Sequence, residues 1–385
     1  MGDLRLGEGR RRDRKHARRP LEGGHGPSRP LRRRALDGYF PGPDRWPRAR
    51  AHVALPGQLT SGITNPPFLV SAALRTGRLQ RDARRRHAFW RRCFPPLRDW
   101  LGYLSTSRLL PQAPLVAVVH PWESGWDNSP RWDHLRDTGL KPLLRYARLD
   151  NRQVEAADRP SDRDYDGYMA LVELLDGVDY RLHAYRERSP FCVYDVLVDA
   201  LFYRAAVDLN EMAAELGEPL PLSPAWLSEF AAAFEELHWD AELELYVDWD
   251  CVAGSRIRRH TAAGLAALAG GAARPDRARR AWERYRQEAG GALPVCTVPP
   301  SDPAFDPTRY WRGPVWVNVN WLIAEGIEQA GLAGDAAELR AQTLEMVRRE
   351  GFGEYLDPRV GRARGAQDFS WTAALTLDLL AAEPP

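Results

Sequence analysis

Residues 193–217, VYDVLVDALFYRAAVDLNEMAAELG, form the stretch that decides the class of fold. Apolar residues recur along it every three or four positions and a glycine closes it, so it predicts one long helix. The same spacing predicts further helices at 66–76, 82–105, 165–184, 223–239, 260–270, 275–289, 314–331, 335–350 and 368–382. Pro95 and Pro96 predict a kink or break within 82–105.

The remaining pattern is consistent with an all-α chain of about eleven helices. Only ELELYVDWD, at 242–250, alternates with the period of two that is typical of a strand. No repeat recurs at the period of a solenoid, which favours a closed ring of paired helices over an open stack.

Composition sets the broad class of the protein. The 385 residues are 44% hydrophobic and 28% charged, which is ordinary for a globular chain, while the 14 Trp and 13 Tyr are many. Four widely spaced cysteines, without a CxxC pair or a histidine at metal spacing, indicate buried thiols in a reducing compartment. We find no membrane span and no secretory signal, and therefore expect a cytoplasmic protein without a metal or cofactor.

Charge is concentrated at the N-terminus. Residues 1–40 carry twelve Lys and Arg against five acids, whereas the whole chain has a net charge of +2, so the remainder is mildly acidic. A basic arm that binds nucleic acid is one interpretation. We favour a disordered arginine-rich tail at 1–38, followed by a catalytic domain at 39–385 and no nucleic-acid partner.

Chemistry-bearing residues gather in HPWESGWDNSPRWD, His120 to Asp133, which holds three tryptophans, two aspartates, a glutamate and an arginine. So many charged residues are unusual in a buried core, and so many indoles are unusual on a solvated surface. The mixture therefore indicates a sugar-binding site. Two more such segments are 302–323 and 351–380. Trp321 and Trp371 lie on apolar helix faces, where core packing is expected.

Glycoside hydrolysis with two carboxylates is the chemistry that these segments permit. Asp127 is the candidate general acid, because neighbouring indoles can raise the pKa of its carboxyl by desolvation. Glu123 is its local competitor, for which a structural role or a bond to a sugar hydroxyl is the alternative. Glu354 is the candidate base on a glycine-flanked turn, although a glutamate in such a turn can also be purely structural.

The order of several motifs resembles one known family. YFPGP (39–43), SGITNPP (61–67), HPWESGWDNSPRWD, YWRGPVWVNVNWL (310–322) and GFGEYLDP with FSWTAA (351–374) follow one another in the chain. Together they resemble the mannosylglycerate and glucosylglycerate hydrolases of glycoside hydrolase family 63, within the six-hairpin glycosidases, and the resemblance extends from about residue 39 to 382.

The resemblance implies an (α/α)6 barrel and an inverting reaction with Asp127 as acid and Glu354 as base, about 6.5–9.5 Å apart. It also implies the residues that bind the sugar and the glycerate anion. These are Tyr39, Asn65, Trp122, Glu123, Trp126, Arg159, Tyr165, Tyr310, Trp311 and Trp316. The family begins with a further tryptophan-rich helical hairpin that has no counterpart before Tyr39, so we expect the barrel to lack its first hairpin.

We therefore expect an inverting hydrolase of a small carbohydrate, an α-glycoside of glycerate such as glucosylglycerate or mannosylglycerate. One alternative is an α-glucosidase or trehalase-like enzyme that acts on a neutral disaccharide. Another is an N-terminally truncated, inactive relative that binds carbohydrate. An incomplete ring would leave apolar helix faces uncovered, which makes a homo-oligomer possible.

Overall fold

Helices build most of the chain, as the apolar spacing predicts. A computed structural model describes residues 40–49, 61–150, 154–288 and 294–382. The helices are α1 (Phe68–Arg78), α2 (Ala83–Ser107), α3 (Asp133–Asp137), α4 (Asp162–Gly177), α5 (Leu182–Arg186), α6 (Val196–Leu216), α7 (Pro224–His238), α8 (Ala263–Ala266), α9 (Pro275–Glu288), α10 (Val317–Gln329), α11 (Ala333–Glu350) and α12 (Ser370–Ala381). The predicted tail at 1–38 and Tyr39 lie outside the described residues.

Helix α6 begins and ends as its sequence predicts. The Asp195 side chain accepts hydrogen bonds from the amides of Leu197 and Val198, so it caps the N-terminus. Gly217 ends the helix with a φ of 71°, a left-handed conformation that glycine adopts without steric cost. The residues that α6 buries run along most of its length, which makes it a central element of the core.

The central helices pack against one another in series. Neighbours in this series are α1, α6, the 3-10 turn Ala267–Gly270, α10 and α12, while α2 packs against α1 and α6, and α11 packs against α10 and α12. Two glycines allow the closest approaches, because a Cβ at Gly270 would lie 2.3 Å from the Ala200 carbonyl oxygen. A Cβ at Gly326 would lie 2.6 Å from the Ala269 nitrogen.

Glu325 joins three of these helices. Its carboxylate lies 2.5 Å from the Arg75 guanidinium on α1 and 2.8 Å from that of Arg204 on α6. Because Glu325 belongs to α10, helices that are far apart in sequence meet at one charge cluster.

Short strands connect the helices. They are β1 (Leu109–Leu110), β2 (Ala113–Val118), β3 (Val193–Tyr194), β4 (Trp239–Asp240), β5 (Leu245–Tyr246), β6 (Asp248–Asp250), β7 (Ser255–Ile257), β8 (Tyr355–Leu356) and β9 (Ala363–Arg364). Five of them form an antiparallel sheet in the order β1-β2-β3-β6-β7. The buried end of β2 leads directly into the segment that begins at His120.

The single strand predicted at 242–250 is wrong. A turn occupies 241–244, in which Glu244 has a φ of 53°, and β5 and β6 follow as separate strands that pair with different partners. Residues 245–248 are all buried, so the period of two in the sequence does not mark a strand with one buried face.

Two predicted helix boundaries also differ from the structure. Helix α2 continues through Pro95 and Pro96, where the carbonyls left without amide donors belong to exposed Arg91 and Arg92 and can bond to water. The helix predicted at 165–184 is two helices, α4 and α5, because Asp179 and Tyr180 adopt left-handed backbone with φ of 55° and 56°.

Helix α12 leaves part of an apolar surface open. The expectation that Trp371 is a core residue is wrong, because its side chain is 51% exposed, and Leu377 is 70% exposed. Trp321 is partly buried as expected, packs against the core, and donates its indole N–H to Asp378 at 2.6 Å. The homo-oligomer expected from uncovered apolar faces stays a prediction.

The four cysteines are free, three of them buried and Cys93 partly buried. Within the described ranges, no helix has both the length and the apolar character needed to cross a lipid bilayer. The cytoplasmic location stays a prediction.

Candidate active site

Asp127 is held by a turn whose shape is fixed from both sides. The ring of His120 accepts a hydrogen bond from the Trp122 amide at 3.1 Å, and its other ring nitrogen donates to the Tyr168 carbonyl at 3.0 Å. Gly125 reverses the chain with a φ of 76°. Tyr168 of α4 then donates its hydroxyl to the Asp127 carbonyl at 2.6 Å, so α4 fixes the backbone of the candidate acid.

Glu354 lies at the base of the β8–β9 hairpin. Its amide donates to the Ala366 carbonyl at 2.9 Å, and the Ala366 amide donates to Glu354 Oε2, also at 2.9 Å. Gly365, with a φ of 68°, leaves room for this carboxylate, since a Cβ there would lie 2.3 Å from Oε2. The hairpin in turn pairs with Val315 through the Leu356 amide and carbonyl.

The acid segment is bonded directly to the segment 310–316. The Trp311 amide donates to Asn128 Oδ1 at 3.0 Å, and Arg312 forms a bidentate pair with Asp133 at 2.7 and 2.9 Å. Arg312 also donates to the Asn128 carbonyl at 3.2 Å. Charge-assisted, two-point bonds of this kind fix orientation as well as distance.

A continuous stack of four aromatic rings connects the two candidate catalytic positions. Trp126 stacks on Trp311 with centroids 4.9 Å apart, Trp311 on Trp316 at 3.7 Å, and Trp316 on Tyr355 at 5.1 Å. The first ring precedes Asp127 in sequence and the last follows Glu354, so this aromatic column joins the two segments that carry the candidate acid and base.

Arg159, Tyr165 and Tyr310 complete the site. Arg159 donates to both oxygens of Glu354, at 3.0 Å from Nη2 to Oε2 and 3.4 Å from Nη1 to Oε1. Its guanidinium lies over the Tyr310 ring, 4.7 Å from the centroid. Tyr310 has a φ of 37°, an unusual conformation for a residue other than glycine, of the kind that tends to persist at functional sites.

The electrostatics of the site favour a protonated acid. Burial raises the pKa of Asp127 to about 7, the Arg159 charge opposes the rise, and the charges of Glu354 and Asp150 add to it. A carboxyl that stays protonated near neutrality can donate a proton to a departing oxygen. Burial likewise raises the pKa of Tyr165 and Tyr310, with Asp127 adding to the rise in both, so the two phenols stay neutral donors.

A family profile and similar proteins of known name identify the same family for this chain. The profile described as the mannosylglycerate hydrolase MGH1-like glycoside hydrolase domain matches residues 23–372. The mannosylglycerate hydrolase of Thermus thermophilus is 41% identical over 344 residues, which cover 88% of this chain and 81% of the relative. The chain belongs to the MGH1-like glycoside hydrolases.

Further relatives of this MGH1-like hydrolase agree. The glucosylglycerate hydrolase of Mycolicibacterium hassiacum is 34% identical over 369 residues, 90% of this chain and 81% of the relative. A crystal structure of the mannosylglycerate hydrolase from Thermus thermophilus in complex with Tris and D-glycerate is 38% identical and superposes with a TM-score of 0.81, covering 89% of this chain and 81% of that one. The neutral trehalase from Saccharomyces cerevisiae, 19% identical with a TM-score of 0.55 over 84% of this chain and 63% of that one, shares the fold.

The predicted (α/α)6 barrel and glycoside hydrolase class are thereby confirmed. The family match begins at residue 23, within the segment predicted as a tail, so the domain boundary at 39 stays a prediction. No group of three or more His, Cys, Asp or Glu side chains suited to a metal ion occurs in the described part of this hydrolase.

Three of the tryptophans expected to bind the substrate are buried in the aromatic column. Trp126, Trp311 and Trp316 are 3%, 2% and 1% exposed, and Trp311 and Trp316 carry another ring on each face. The stacked faces of Trp311 and Trp316 are not open to a sugar, whereas the indole N–H of Trp311 has no partner among the described residues. The expected role of the three tryptophans in substrate binding stays a prediction. Trp122 is partly buried and meets Tyr165 edge-on, with ring centroids 6.2 Å apart.

Glu123 is bonded to protein groups through both carboxylate oxygens. Its carboxylate accepts bonds from Arg108 at 2.7 and 3.0 Å, from the Val119 amide at 2.8 Å and from the Thr64 amide at 2.8 Å. Burial opposes ionisation, but Arg108 and these amides outweigh it and lower the pKa of Glu123. The structure thus favours the structural alternative. Asn65 is exposed next to Thr64, and its substrate contact stays a prediction.

Sequence reasoning missed two residues that shape the site. Tyr168 could have been found, because it lies one helical turn after Tyr165 and therefore on the same face of α4. Arg131 could not, since its partners are distant in sequence: it lies buried between Asp195 at 3.0 Å and Asp248 at 2.9 Å. This buried cluster joins the acid segment to the start of α6 and to β6.

Proposed function

We propose that this MGH1-like hydrolase cleaves the glycosidic bond of mannosylglycerate or glucosylglycerate with inversion of the anomeric carbon. Asp127 gives its proton to the glycerate oxygen as the bond to the sugar breaks. Glu354 takes a proton from a water molecule that attacks the opposite face of the ring. The products are glycerate and a sugar of inverted configuration.

The observation that carries this proposal is the contrast between the two carboxyl groups. Asp127 lies in a desolvated position where its pKa is raised to about 7. Glu354 instead accepts hydrogen bonds from the Arg159 guanidinium and the Ala366 amide. In a glycosidase, the acid and the base are distinguished by the different environments of their two carboxyl groups.

Arg159 supports the choice of an anionic aglycone. Its guanidinium is 13% exposed, faces both Glu354 and Tyr310, and has the fork geometry that binds carboxylates. Relatives named for mannosylglycerate and glucosylglycerate, and the neighbour structure that contains D-glycerate, support a substrate with a glycerate moiety.

The test is hydrolysis of mannosylglycerate, glucosylglycerate and trehalose by the wild-type chain, Asp127→Asn and Glu354→Gln. We expect release of glycerate by the wild type, little activity on trehalose, and a loss of at least about 10³-fold in kcat in each variant. Proton NMR of the first product should show the β-anomer from an α-glycoside. Asp44→Asn, at a side chain that is 73% exposed, is the matched control.

Three results would contradict the proposal. Retained activity in Asp127→Asn or Glu354→Gln would reject the assigned roles, and an α-anomer as first product would reject inversion. Preferential cleavage of trehalose would favour a hydrolase of neutral disaccharides.

A further inference from the structure

The salt bridge between Arg159 and Glu354 occupies the candidate base. Both carboxylate oxygens accept from the guanidinium, and Oε2 also accepts from the Ala366 amide. The two side chains are only 13% and 7% exposed, so water does little to weaken their attraction. Each oxygen of Glu354 already accepts a hydrogen bond, so a water molecule must compete with the guanidinium for the carboxylate lone pairs.

The Arg159 guanidinium has hydrogen-bond donors that Glu354 does not use. Arginine carries five N–H groups in a planar fork, and Nη1 and Nη2 provide those that face Glu354. Arg159 Nε is buried and has no hydrogen-bond partner among the described residues. A buried donor without a partner points to a missing acceptor. The edge formed by Nε and a terminal nitrogen is suited to a second carboxylate.

We propose that the carboxylate of the substrate's own aglycone activates the base by competing with Glu354 for Arg159. The proposal rests on the proposed function and concerns the regulation of the same site. Once a second anion shares the guanidinium, each carboxylate is held less tightly. The added negative charge also repels that of Glu354 and favours uptake of a proton from water.

The proton and electron balance of the step is simple. The attacking water loses one proton to Glu354 while its oxygen forms the new bond to the anomeric carbon. The bond from that carbon to the leaving group breaks, and the leaving oxygen takes the proton of Asp127. Proton exchange with solvent then restores both residues, so no further reactant is needed.

Selection of the substrate follows from this arrangement. A glycoside with a neutral aglycone leaves Arg159 on Glu354, so it should be turned over slowly even when it is bound. Arg159 is thus a positioning residue that raises kcat for an anionic aglycone, in addition to lowering KM.

The experiment separates the base from the acid with glycosyl fluorides. Fluoride is a good leaving group that needs little help from Asp127, so its release reports mainly on Glu354. The rates of α-mannosyl fluoride and α-glucosyl fluoride hydrolysis are measured with a fluoride electrode at increasing D-glycerate, with glycerol as the neutral control. We expect D-glycerate, and not glycerol, to raise kcat by about tenfold or more in the wild type.

Variants make the outcome specific. Arg159→Gln should hydrolyse the fluoride at least as fast as the wild type without glycerate, should not respond to D-glycerate, and should lose activity on mannosylglycerate. Arg159→Lys, which keeps the charge but not the fork, should respond weakly and guards against a folding defect in the glutamine variant. Arg277→Gln removes a partly buried pair with Glu235 and should keep the full response.

Opposite results overturn the inference in distinguishable ways. If the wild type cleaves mannosylglycerate but D-glycerate leaves the rate of fluoride release unchanged or lowers it, activation by the aglycone is rejected and the proposed function survives. A slower unactivated rate in Arg159→Gln, with Arg159→Lys equal to the wild type, would overturn the inference by showing that the guanidinium assists the base. If the wild type cleaves none of the glycosides or fluorides, both proposals fail.

Discussion

Replacing Asp127 with asparagine should abolish hydrolysis and at the same time stabilise the fold above neutral pH. Burial is the main reason that the pKa of Asp127 rises from an ordinary 3.8 to about 7. The native state therefore binds the proton more tightly than the unfolded chain does. The corresponding stabilisation is fully present below about pH 4 and is lost as the pH rises through 7.

The magnitude follows from the size of the shift. Each unit of pKa is worth about 1.4 kcal/mol, so a rise of about three units corresponds to at most about 4 kcal/mol of unfolding free energy. Asp127 keeps partial access to the surface, which makes this figure an upper bound. Asparagine cannot ionise and should not show this loss.

The assay is urea unfolding of the wild type, Asp127→Asn and the exposed control Asp44→Asn at pH 5 and pH 8. The difference in free energy of unfolding between the wild type and Asp127→Asn should change by a few kcal/mol from pH 5 to pH 8. Asp44→Asn should show the same pH dependence as the wild type. In the wild type, kcat/KM should fall about tenfold per pH unit above 7 as the acid loses its proton. Equal pH dependence in all three proteins, or kcat/KM that rises above pH 7, would refute the reasoning.

Three further substitutions test the frame around the site. Glu123→Gln leaves the buried charge of Arg108 without its counter-charge. It should lower the free energy of unfolding, measured by chemical denaturation, by about 3 kcal/mol and leave kcat/KM of the folded protein unchanged. A raised KM at normal stability would instead indicate a sugar contact. Gly365→Ala places a Cβ 2.3 Å from the base carboxylate and should lower kcat about 10²-fold, whereas Gly139→Ala, with a similar φ of 66° and open space, should affect stability alone. Trp311→Phe should loosen the aromatic column and lower kcat at nearly constant KM; the reverse pattern in steady-state kinetics would assign this ring to the sugar.

Local sequence patterns were sufficient to predict most of the helices, whereas the candidate base Glu354 was selected through the resemblance to a known family. Apolar spacing located α6 to within a few residues at each end, because its N-cap, its apolar face and its terminal glycine all lie within one segment. The pattern failed where the backbone leaves ordinary conformations, as at Asp179 and Tyr180, since φ above zero in residues other than glycine leaves little trace in composition.

The stacking of the tryptophans could not be predicted, because it depends on which distant segments cover each ring. An indole near a catalytic aspartate has the same sequence signature whether its face is open to a sugar or stacked on another indole. Trp311 and Trp316 are close together in the chain, but Trp126 and Tyr355 join them from distant segments. Arg159 shows the same limit, since its pairing with Glu354 spans 195 positions.

The aromatic column offers a physical reason why the two carboxyl groups can work together across such a distance in sequence. An inverting hydrolase needs a gap between acid and base that admits one water molecule, and an error of about 1 Å is costly. Planar rings in contact have almost no freedom to shorten, and the stack is bonded at one end through Asn128 and Asp133 to the acid segment. At the other end the Val315–Leu356 pairing fixes the hairpin of the base. In the proposed mechanism, these stiff connections hold the segments of Asp127 and Glu354 in place, and the raised pKa of Asp127 assigns it the role of proton donor.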